Sequence, residues 1–227
     1  MHRINDVWCV PDGDQLITRK INERKKKDSD PTHTDLYYER RVRKAALEHV
    51  TNFGTFVDAG ANVGIWSRPM SDLFTAVEAF EPAEKNRECF TENLKEVDNI
   101  NLYSHGLGET QTHGNLLLGV KNCGDCKILY QDEIKGVKFK PEDSVEVRTL
   151  DSHNFREVGL IKIDTQGHEL RILKGAVETM KKWKPVVVFE IDQDKDRCCD
   201  LLESIGATRI PVDNKCLMIY GFKHNDN

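Results

Sequence analysis

Short apolar runs ending near Ala59, Phe80, Ile163 and Ile191 alternate along this chain with longer segments whose apolar positions recur at helical spacing. Near-continuous apolar runs of this length are what strands buried on both faces look like. They predict strands ending at 59 and spanning 76–80, 159–164 and 185–191, with a third strand over 101–108 running into a turn. In 35–50, Leu36, Val42, Ala45, Ala46, Leu47 and Val50 share one helical face, with Thr34 or Asp35 placed to cap it. Further helices are expected over 65–74, with Pro69 tolerable in a first turn, and over 83–97, 169–182 and 195–204. Segments 207–212 and 216–222 read as a closing hairpin whose turn, Asp213-Asn214, would use positive φ. The alternation predicts an α/β fold, a doubly wound mostly parallel sheet with helices on both faces.

Two stretches break the pattern. Residues 1–34 read as a partly irregular extension before a domain spanning 35–227; Trp8, Val10 and Leu16-Ile17 suggest a short strand or hairpin, and 24–31 a charged, solvated loop rather than a polyanion contact. Within 109–150 the period shortens to β-like runs at 115–120, 127–130, 137–140 and 145–150, separated by turns at 122–125 and 135–136. An antiparallel insertion on the ligand side of a rigid sheet is where specificity usually sits. Asn122 and Gly124 in its first turn are therefore candidate acceptor-binding residues.

Composition narrows the partners. The 227 residues carry a net charge of −5 with acidic and basic groups interleaved, so no strong nucleic-acid field is expected. Seven cysteines, an odd number without a disulfide-like frame, and no leader pattern favour a reduced, cytoplasmic setting. No apolar run reaches bilayer-spanning length. Cys123-Gly124-Asp125-Cys126 lacks a second pair at zinc spacing, and Cys198-Cys199 would diverge on a helix, so no metal site is expected.

The chemistry concentrates in 56–64, where an apolar run breaks into Asp58-Ala59-Gly60-Ala61-Asn62-Val63-Gly64. Gly60 and Gly64 suit a ligand-cradling turn beyond the end of a strand. Their spacing matches neither a P-loop nor the three-glycine dinucleotide fingerprint. Asp58 suits the cationic amino group of an amino-acid moiety better than a pyrophosphate. Glu81, followed by Pro82 at the end of the next apolar run, stands where a ribose with two free hydroxyls would lie.

This pair resembles the first motif and acidic second-strand end of class I S-adenosylmethionine-dependent methyltransferases, a Rossmann-like class ending in an antiparallel strand. Residues 160–176, Leu-Ile-Lys-Ile-Asp-Thr-Gln-Gly-His-Glu-Leu-Arg-Ile-Leu-Lys-Gly-Ala, are similar to the FkbM-type signature I-K-I-D-V-E-G-x-E-x-x-V-L-x-G-A. The resemblance implies S-adenosylmethionine as cofactor, with Asp58, Gly60, Asn62, Gly64, Glu81, Pro82 and Asp164 around it and His105, at the third strand's end, beside the adenine. It also implies a tyrosine-glutamate pair, here at Tyr37, Tyr38 and Glu39, bordering the ligand. Asn122-x-Gly124 resembles an element common in the family.

Methyl transfer to a hydroxyl needs a base within hydrogen-bond reach. Asp164, at the end of the fourth strand, is the first candidate and His168 the second; Lys162 shares a strand face with Asp164. Asp164 would also serve as a cap on the following helix through the amides at 166 or 167, and His168 would suit an exposed helix start. Gln166 replaces the family's glutamate. Glu190 closes the fifth strand and would line the crevice or hold a basic partner. The reading is an O-methyltransferase acting on a sugar, glycan or polyhydroxylated metabolite. The alternatives are an RNA ribose 2′-O-methyltransferase using Lys162, Asp164 and Glu190, and a binding module without catalysis.

Overall fold

The apolar runs become the centre of a seven-stranded sheet. In the computed structural model, residues 1–4, 8–24, 39–119, 122–130, 133 and 144–223 are described, 21–24 by their main chain only. The strands are β1 His2–Ile4, β2 Trp8–Val10, β3 Thr55–Ala59, β4 Ala76–Phe80, β5 Ile100–Tyr103, β6 Gly106–Leu107, β7 Thr112–Leu117, β8 Lys127–Leu129, β9 Ser144–Arg148, β10 Val158–Ile163, β11 Val186–Glu190, β12 Ala207–Ile210 and β13 Leu217–Phe222. The helices are α1 Leu16–Arg24, α2 Arg40–Leu47, α3 Ser67–Ser71, α4 Glu84–Asn93, α5 Glu169–Lys174, α6 Val177–Trp183 and α7 Lys195–Ser204. The large sheet runs β12-β13-β11-β10-β3-β4-β5, parallel except that β13 is antiparallel to both neighbours.

Successive residues along a strand point to opposite faces. Val57, Ile161, Ile163, Val187 and Phe189 accordingly pack in one core layer, and Phe56, Leu160, Val186 and Val188 in the other. The chain winds outward from β3 through β4 to β5, then returns beside β3 as β10. The crevice beyond the ends of β3 and β10 is therefore the topological switch point, where ligands of open α/β sheets bind.

Several details differ from expectation. Leu16 and Ile17 open helix α1 instead of joining a hairpin; the N-terminal hairpin is β1 paired with β2. The helix expected over 169–182 is two, broken at Gly175, where an added Cβ would stand 2.0 Å from the carbonyl oxygen of Gly108. Residues 106–107 leave the third strand and pair in parallel with β9, giving a separate sheet β6-β9-β7-β8 that is otherwise antiparallel. At the closing hairpin neither Asp213 nor Asn214 takes positive φ. Asn214 instead accepts the amides of Cys216 and Leu217 through Oδ1, at 2.7 and 2.8 Å. The expected caps Thr34 and Asp35, Tyr37 and Tyr38, the charged run 25–31 and the strand at 137–140 with its turn lie outside the described residues. Among the described residues no helix is long and apolar enough to cross a membrane.

Candidate active site

A cavity of about 260 Å³ lies at the switch point, walled by the loop after β3, the ends of β4, β10 and β11, the turn at 122–126 and the start of α1. Of the residues singled out from sequence, Gly60, Asn62, Glu81, Pro82, Asn122, Gly124, Lys162, Asp164, His168 and Glu190 line it. Glu39 does too, its carboxylate accepting the Trp66 indole N–H at 2.6 Å.

Asp58, Gly64 and His105 do not line it. Asp58 is fully buried beneath the loop, where its carboxylate meets the Lys162 ammonium at 3.2 Å and accepts the Ser67 hydroxyl at 2.7 Å. Its cation is thus Lys162, not a ligand's amino group. Lys162 also donates to the Gly60 carbonyl at 2.7 Å and stands 3.9 Å from Asp164. Burial would lower the lysine pKa, but the Asp58, Asp164 and Glu39 charges override it and push it upward. An ammonium held this way cannot take a proton, so Lys162 fixes the loop and is no base.

Gly60 shows why the loop needs its glycine: φ is +78°, and a Cβ would sit 2.0 Å from the Asp164 carbonyl oxygen. His105 packs behind the cavity, its ring stacked on His153 with Nε2 atoms 2.9 Å apart and beside Phe80 and Tyr103. Burial, then His153 and Arg148, lowers its pKa to about 4. Gly64 packs against Leu94 and Phe90.

The acid side is gathered at the ends of two adjacent parallel strands. Asp164 follows β10 and Glu190 closes β11, and the Gln166 side-chain amide bridges them, at 3.3 Å to Asp164 Oδ1 and 2.8 Å to Glu190 Oε2. Asp164 does not cap α5, whose N-cap residue His168 makes no side-chain cap bond; the Glu169 carboxylate instead braces the turn before the helix by accepting the Thr165 and Gly167 amides, both at 2.9 Å. That leaves the Asp164 side chain to the cavity. His168 is buried, not exposed, and its Nε2 lies 3.0 Å from the Tyr130 hydroxyl, over whose ring the Arg171 guanidinium sits at 4.5 Å. Burial, then Arg171, lowers the His168 pKa to about 4, so its ring is neutral at pH 7.

Burial and then the Asp164 charge push Glu190 up to about 8. A carboxyl whose folded pKa exceeds its unfolded value, about 4.3, contributes stability below the unfolded value and loses it as pH rises through about 8. Glu190→Gln is therefore expected to gain thermal stability relative to the parent protein as pH increases from 5 to 9. A difference in Tm that stays constant across that range would contradict the raised pKa.

Residues 58–209 match the family model described as the Methyltransferase FkbM domain. The chain belongs to the FkbM methyltransferase family. Methyltransferase 1 of Beauveria bassiana (strain ARSEF 2860) is 24% identical to it over 141 residues, 52% of this chain and 57% of the fungal protein. The crystal structure of the FkbM methyltransferase from Methylobacillus flagellatus KT superposes with a TM-score of 0.52 at 21% identity, over 74% of this chain and 43% of that one. An rRNA methylase from Streptococcus thermophilus superposes with a TM-score of 0.50 at 13% identity, over 81% of this chain and 95% of that one. The chain thus spans little more than half of this fungal relative and less than half of the Methylobacillus protein.

The cofactor of this family is S-adenosylmethionine, and the cavity's donor set fits it. Glu81 accepts the Asn62 and Ala83 amides, both at 2.8 Å, one on each carboxylate oxygen. An ionised carboxylate offers about four lone-pair sites, so each oxygen retains capacity for a ribose hydroxyl. Among the described residues no group of three or more His, Cys, Asp or Glu is gathered as metal ligands. The sequence reading missed Leu16, Ile17, Cys126 and Ile128 in the FkbM cavity wall, and Tyr130 beside His168. An aspartate three residues before Ile17 is a helix-start signal that would have flagged α1.

Proposed function

We propose that this FkbM-family chain transfers a methyl group from S-adenosylmethionine to a hydroxyl of a sugar, glycan or other polyhydroxylated metabolite. The observation that carries the reading is the Asp164–Gln166–Glu190 cluster inside the cofactor cavity. When bound, the cofactor supplies an electrophilic methyl group on a sulfonium. Asp164 is the proton acceptor: its side chain is not spent on the α5 cap, and it opens on the cavity. Glu190 keeps its own proton at pH 7, its pKa raised to about 8 by burial and the adjacent Asp164 charge. Gln166 holds the two carboxyl groups at fixed spacing and adds no third charge. Asn122 lines the same cavity in the 122–126 turn, where its side-chain oxygen accepts the Gly124 amide at 3.0 Å.

A ribose 2′-O-methyltransferase relay would need a lysine free to act beside Asp164 and Glu190. Lys162 is committed to Asp58 and the Gly60 carbonyl instead. Transfer of tritiated methyl to a panel of glycans, polyols and RNA is expected to label the hydroxylated small molecules. Label in RNA alone would overturn the proposal.

A further inference from the structure

The part of the cavity wall formed by Leu16 and Ile17 at the start of α1 lies outside the matched family domain, and it is tied to the cofactor loop by a continuous chain of hydrogen bonds. Glu81 accepts the Asn62 amide at 2.8 Å; the Asn62 side-chain oxygen accepts the Cys123 thiol at 3.2 Å. The Cys123 amide in turn donates to Asp14 Oδ2 at 2.9 Å. The other oxygen of the same carboxylate accepts the Ile17 and Thr18 amides, at 2.8 and 3.1 Å, capping α1. Asp14 is 7% exposed, so these contacts are shielded from water.

Around this chain of bonds lies a small apolar core of its own. Trp8, Cys9, Val10 and Ile17 from the N-terminal segment pack with Val63 and Ile65 of the cofactor loop, Cys89 of α4 and Cys123 of the turn. Asn93 of α4 fastens the hairpin by donating to the Cys9 carbonyl at 2.9 Å and accepting its amide at 2.6 Å, while also donating to the Val63 carbonyl. Leu16 and Ile17 are thereby held against the cavity.

We infer that Asp14 is a positioning residue for the cofactor: it locks α1 and the 122–126 turn together as the wall on the Glu81 side of the cavity. One carboxylate serves two segments, and no neutral side chain of its size does both. A serine at 14 can accept a helix amide as a cap but is too short to reach Cys123 as well. An asparagine has one acceptor oxygen and would set its amide donors against a backbone N–H. Either change leaves a buried amide unsatisfied, a loss that amounts to roughly tenfold or more in an equilibrium that depends on the bond. The inference rests on the cofactor and not on the acceptor proposed above.

The test is calorimetric titration of the full chain with S-adenosylhomocysteine. Asp14→Asn and Asp14→Ser are expected to weaken binding at least about tenfold, with Asp14→Ser lowering Tm by about 3–6 °C, the cost of one stranded amide, because the cap survives. Asp12→Asn, whose carboxylate faces solvent and the chain's first residue, is the control and binds as the parent does. Unchanged affinity in both Asp14 variants would overturn the role, and no heat from the parent protein would overturn the cofactor assignment with it. Should the variants fail to fold, the parent protein still decides. The ligand is expected to slow tryptic cleavage after Arg19 and Lys20 in α1, and equal cleavage rates with and without it would dismiss the proposal.

Discussion

Lys162→Ala is expected to lower the unfolding free energy by about 3–5 kcal/mol, because it strands the Asp58 carboxylate without a cation in a fully buried site. For a chain of this size each kcal/mol corresponds to roughly 2–4 °C in Tm, so thermal unfolding should drop by about 10 °C. The loop suffers as well, since Lys162 donates to the Gly60 carbonyl that shapes its turn. Removing both charges together, as in Asp58→Asn with Lys162→Met, is expected to cost less than the sum of the single changes by about 1 kcal/mol or more. A single variant melting within 2 °C of the parent would show that the pair does not hold the loop.

Asp164→Asn has the larger effect on chemistry. Losing a positioned base costs typically 10²–10⁴-fold in rate, and kcat is expected to fall by about that much. Affinity for S-adenosylhomocysteine should change by no more than about threefold, because the contacts that shape the cofactor loop run through the Asp164 main chain and through Lys162. Full turnover in this variant would remove Asp164 as the base and shift the role to His168, which is neutral at pH 7 and faces Tyr130.

The parallel core was plain in the sequence because strands buried on both faces need apolar residues at nearly every position, and 76–80, 158–163 and 186–190 supply them. The carboxylates of the site were equally visible, since each stands where an apolar run stops. Roles that depend on strand order were not. The register sets Lys162 opposite Asp58, and nothing local tells a lysine on one strand that its partner lies on the strand alongside. The N-terminal wall was hidden for the same reason. Asp14 and Cys123 are 109 residues apart in the chain, and their bond exists only after both segments have folded over the crevice. His105 was misplaced because the main chain leaves the third strand after Tyr103 to start a second sheet, carrying that ring behind the cavity.

The bond from Lys162 to the Gly60 carbonyl joins positions 102 residues apart, which has a consequence for biosynthesis. The glycine turn emerges early from a ribosome, yet it lacks the ammonium that fixes its shape until β10 has been made and has docked beside β3. A nascent chain that stops short of β10 holds the cofactor motif in sequence but not in form. Competence to bind the cofactor therefore depends on β10 closing the centre of the sheet against β3.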